Sequence, residues 1–87
     1  MNSVLICTND GNYYRITVKA EKPGMNILSV WDDINGVLMR DKPWLIVLGG
    51  DDIEIKEKMS ASSVSAVILN IKNICSIELF KEDKKDE

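Results

Sequence analysis

The chain has 87 residues, 45% of them hydrophobic, and eleven Lys and Arg face fourteen Asp and Glu for a formal net charge of −3. That length holds one small domain and excludes two, and that apolar fraction excludes a chain that stays unfolded. No Lys/Arg run exceeds two residues, which argues against broad contact with a phosphate backbone.

There is no histidine. This removes the commonest general base, the Ser–His and Cys–His nucleophile pairs and most zinc sites. The two cysteines, Cys7 and Cys75, are too few for the disulfide framework of a small secreted domain. They read as buried, reduced structural thiols, since an unpaired cysteine behaves as a small hydrophobe. No run approaches the roughly 18 apolar residues that span a membrane. The apolar stretch 4–7 is too short for a signal peptide and has no basic residue before it. A cytoplasmic location is expected.

In chain order, residues 3–8 form a first short apolar strand. Asn9-Asp10-Gly11-Asn12 follows, and Asp-Gly between two apolar runs signals a hairpin because glycine accepts positive φ. Residues 13–19 form the second strand. Its Tyr14, Ile16 and Val18 face belongs in the core, while Tyr13, Arg15, Thr17 and Lys19 face water or a partner. Lys22-Pro23-Gly24 breaks the sheet pattern.

Ile27, Val30, Trp31, Ile34, Val37 and Leu38 then recur at helical spacing. Asn26 is placed to cap that helix, with Asp32 and Asp33 on its outer side. Asn35-Gly36 lies inside the stripe and is the leading type I′ turn dipeptide, so a hairpin is the competing reading. Glycine costs a helix only about 1 kcal/mol, and an amphipathic face offsets that. The spacing therefore predicts a helix over 26–41, closed by Pro43.

Residues 43–58 read as a central β-hairpin. Residues 44–48 are apolar at every position, as in a strand covered on both faces. Ile53 and Ile55 alternate with Asp52, Glu54 and Lys56, and Gly49-Gly50 offers the turn. A two- or four-residue loop sets Trp44, Ile46 and Leu48 beside Ile53 and Ile55; an odd loop would set Leu45 and Val47 there. Residues 59–63 read as a turn and 64–71 as a further strand, with a short helix from Ser62 as the competing reading. In residues 74–80, Cys75, Ile77 and Leu79 alternate with Ser76 and Glu78. The expected fold is α+β and mainly β: a small antiparallel bent sheet or barrel of about six strands with one helix. Residues 1–80 form a single compact domain, and 81–87, which carry only charge, form a disordered tail.

No constellation of residues points to catalysis. The pairs Asp32-Asp33 and Asp51-Asp52 diverge along any helix or strand, whereas a hard cation wants about six converging oxygens. They read as solvated surface, and no metal or cofactor is expected. Phosphate-binding glycine patterns are absent from the sequence. Tyr13, Arg15 and Trp31 are the candidate interaction residues, Tyr and Arg being frequent anchors of binding surfaces. An aromatic-plus-basic strand also suits stacked bases. The expected function is a non-enzymatic interaction module that binds a protein partner or itself, as a homodimer. Residues 64–71 motivate the dimer, being apolar on both faces. The alternative is a small-molecule or single-stranded nucleic-acid binder on the outer face of the second strand.

Overall fold

Asp10 and Gly11 make the turn that the sequence requires of them, with Gly11 at φ 87°. The computed structural model describes residues 2–58 and 63–81, and the turn joins β1 (Ser3–Thr8) to β2 (Tyr13–Val18). Their register sets Ile6 opposite Tyr14 and Val4 opposite Ile16. Strand alternation then sends Val4, Ile6, Ile16 and Val18 to one side, where all four are buried.

The helical stripe prevails over the Asn-Gly turn. Helix α1 spans Ile27–Met39, with Ile27, Val30 and Ile34 buried and Trp31, Val37 and Leu38 half-buried against the same core. Asn26 caps it reciprocally: its side chain accepts from the Ser29 N–H, and the Ser29 hydroxyl oxygen accepts from the Asn26 N–H. Asn35 turns inward on the helix and donates to the Trp31 carbonyl at 2.8 Å. Past the helix, Asp41 sits at φ 63°, a left-handed residue just before Lys42 and Pro43.

The central hairpin is where the structure departs from expectation. Strands β3 (Trp44–Leu48) and β4 (Ile53–Glu57) are consecutive but do not pair. Strand β4 lies against β2, with Ile55 opposite Ile16, while β3 pairs with β6 (Ala66–Asn70). The segment expected as one strand over 64–71 is also divided. Ser63–Val64 forms β5 on the edge of β4, and Ser65 bends the chain into β6. Ile71–Asn73 is a turn of 3-10 helix, and Ile74–Phe80 is β7, antiparallel to β1.

The result is a five-stranded sheet in the order β5-β4-β2-β1-β7 and a two-stranded ribbon β3-β6. The mainly-β class with one helix holds; the sheets do not close into a barrel. One chain crossing joins them at each end of a short corner. Gly49, at the end of β3, donates its N–H to the Ser65 carbonyl at 2.8 Å. A Cβ there would meet the carbonyl oxygens of Ser65 and Val64 at 3.1 and 3.2 Å, so a larger residue requires the two backbones to part by a few tenths of an ångström. Gly49-Gly50 is thus a crossing between sheets and not a hairpin turn.

One core results. The inner face of the large sheet, the α1 stripe, and Leu45, Val67 and Leu69 of the ribbon share it. The turn expected over 59–63 falls, up to Ser62, outside the described residues, as does the charged tail beyond Lys81.

Candidate interaction surface

Side chains on β2 alternate as expected, so Tyr13 and Arg15 stand on the sheet face opposite the core. They are not brought together with Trp31. That residue lies on α1 and packs against the core from the other side. The Arg15 guanidinium is already engaged. Its Nη1 donates to the Ser3 hydroxyl at 2.9 Å, and its central carbon stands 5.8 Å from the Phe80 ring centroid. Ser3 and Thr17 share this outer face and are nonetheless buried. Lys56 of β4 lies directly opposite Arg15 and Glu54 opposite Thr17, while beyond Leu5 stands Glu78, so the row around the arginine is of mixed charge.

At the mouth of the first hairpin a small polar group forms. Thr8 donates its hydroxyl to the Asp10 carboxylate, which also accepts from the Asn12 N–H at 3.2 Å. These bonds, the Thr8 one foremost, hold the Asp10 carboxyl below its ordinary pKa. Asn12 Nδ2 donates to Glu57 at 2.8 Å, beside the Tyr14 hydroxyl. Burial, then the Glu57 and Asp10 charges, push the Tyr14 phenol above its ordinary pKa. Among the described residues no three His, Cys, Asp or Glu side chains are placed to hold a metal ion. Asp52 instead lies 3.8 Å from the Lys22 ammonium.

The thiols are not the buried pair the sequence suggests. Cys7 is half-buried on the outer face, and Cys75 is exposed. Strands β1 and β7 do adjoin, but their register shifts between Cys7 and Thr8, pairing Cys7 with Ser76 and Thr8 with Ile74. Cys75 is the extra residue of that bulge, which breaks the expected alternation with Ile77 and Leu79.

The surface that stands out is the ribbon. Leu45 pairs with Leu69 and Val47 with Val67, all turned toward the core. The alternate positions, Trp44, Ile46, Leu48 and Ile68, are 52, 58, 66 and 63% exposed. With Ala66, and with Asn70 opposite Trp44, they make one uncharged, mainly apolar face. The sequence read these residues as core because a run that is apolar at every position fits a strand covered on both sides. It fits equally a strand whose second cover comes from another molecule.

The free side of β3 adds to this. The Pro43 carbonyl accepts from Ile71 and the Gly49 N–H bonds Ser65, so odd-numbered residues of β3 carry the ladder to β6. The backbone groups of Trp44, Ile46 and Leu48 then point to the other edge, where no described strand pairs. A groove of about 260 Å³ runs along that edge, walled by Val30, Ile34 and Val37 of α1.

No family model matches the chain, and neither a curated protein nor a solved structure does. Among the described residues, no helix is long and apolar enough to cross a membrane.

Proposed function

We propose that this protein is a non-enzymatic interaction module that binds protein, itself included, through the outer face of the β3-β6 ribbon. The observation that carries the reading is the exposure of Trp44, Ile46, Leu48 and Ile68 on one flat strand pair. A contiguous apolar face with an open strand edge beside it is costly to leave in water and prone to pairing. Tryptophan at its margin supplies the kind of anchor that dominates binding surfaces. The use of only two cysteines favours a cytoplasmic setting over a secreted one.

The alternative, a small molecule or single-stranded nucleic acid on the outer face of β2, has less support. Arg15 is committed to Ser3 and Phe80, and the face mixes Lys56 with Glu54 and Glu78, so it offers no basic track for a polyanion.

Photo-crosslinking in cells tests the reading. A benzophenone amino acid at Ile46 should give discrete protein adducts, and the same group at Arg15 should give far fewer. Absence of any adduct at Ile46, with the protein folded and abundant, would sink the module reading.

A further inference from the structure

Building on that reading, we infer that the occupant of the ribbon face is a second copy of this chain, stacked face to face with its strands antiparallel. Three features of the ribbon select this partner. The first is its lack of charge. Trp44, Ile46, Leu48, Ala66 and Ile68, with the uncharged Asn70 opposite Trp44, present no charge that a second identical face would repel, and a two-fold interface must be self-complementary.

The second is the distribution of charge at its two ends. The bond from Ile71 to the Pro43 carbonyl brings the flanking Lys42 and Lys72, both exposed, to one end, with Asp41 near them. Asp51 stands exposed at the opposite end, and Asp52 beside it faces the Lys22 ammonium at 3.8 Å. Two lysines against Asp41 leave the first end net positive, and Asp51 leaves a negative charge at the second. A two-fold axis across the middle of the ribbon lays Lys42 and Lys72 of each copy over Asp51 of the other, satisfying both ends at once. Parallel stacking would instead set like charges together.

The third is size. Five residues per strand give a face about 17 Å long, with strands about 4.8 Å apart. That falls short of the roughly 800 Å² per partner of a tight interface, so the dimer is a reversible one.

Sedimentation of the full chain from about 1 to about 500 µM tests this. The mass should rise from 9.8 kDa toward twice that value. Ile68→Glu, on the exposed side of β6, should raise the dissociation constant at least about tenfold with the circular dichroism unchanged. Should that variant misfold, Ile46→Lys replaces it. Lys42→Glu with Lys72→Glu should weaken pairing about three- to tenfold at low salt, and adding Asp51→Lys should restore it to within about twofold. A monomer throughout overturns the inference. So does a dimer indifferent to Ile68→Glu, which would be pairing along the β3 edge, or a charge reversal without rescue, which would be parallel. A heterologous adduct at Ile46 with a monomer in sedimentation would refute the second copy and leave the module reading standing.

Discussion

Ile55 is fully buried between strands, opposite Ile16, and Lys56 beside it is exposed. Ile55→Ala should cost about 2–5 kcal/mol in urea unfolding, the range for emptying a packed aliphatic site. Lys56→Ala should cost less than about 0.5 kcal/mol, because a strand reverses faces at each residue. Equal effects would place β4 wrongly. That alternation was legible in the sequence, since one polar face leaves a period of two. It remained right for Ile53 and Ile55 although their partner strand was not. Tyr14 offers a second test at this scale. Its pKa is raised in the folded state by burial and by Glu57 and Asp10, so the folded chain holds the phenolic proton more tightly than the unfolded one. The associated stability is complete below the ordinary value near 10 and is lost as pH rises through the folded pKa. Melting temperatures between pH 9 and pH 11.5 should therefore fall less steeply for Tyr14→Phe than for the native chain. Parallel slopes would remove the phenol from the account.

Elements were legible where the pattern is local. Helix α1 follows from its stripe and its Asn26 cap, and Asn26→Ala should cost about 1 kcal/mol by removing the reciprocal bonds with Ser29. The hairpin of β1 and β2 follows from Asp10-Gly11. The pairing of β3 was not legible, because a run without alternation carries no parity to fix its partner. Nor does Gly49-Gly50 say by itself whether it closes a hairpin or lets two backbones cross. The two uses predict different glycines. In the crossing, Gly49→Ala drives a Cβ against the Ser65 and Val64 carbonyls, while Gly50 has open space around it. Gly49→Ala should destabilise the fold by about 1–3 kcal/mol and Gly50→Ala by less than about 0.5 kcal/mol. Similar losses at both positions in denaturant titrations would argue for an ordinary turn. The candidate surface was hidden for the same reason as the pairing. Trp44, Ile46 and Leu48 have the composition of a core strand, and only the position of β3 in a two-stranded ribbon exposes them.

At the scale of the molecule, the first and last described strands, β1 and β7, lie side by side. Ser3 lies opposite Phe80, and β1 has β2 on one side and β7 on the other. The sheet therefore cannot be completed until β7 has been made, some seventy residues after the start of β1. Ile77 and Leu79 of β7 pack against the core that Val4 and Ile6 of β1 help to form. Closing so long a loop carries an entropic cost that only the final contacts offset. Refolding followed by tryptophan fluorescence should accordingly fall in the millisecond-to-second range typical of non-local β topologies. A chain ending at Asn73 should lose the cooperative transition altogether, since it leaves the β1 edge unpaired and the inner face of that strand uncovered. Circular dichroism during heating reads this directly. If the shortened chain still melted with a sharp transition near the native temperature, β7 would be an accessory edge, and the core would be held by β1, β2, β4 and α1 without it.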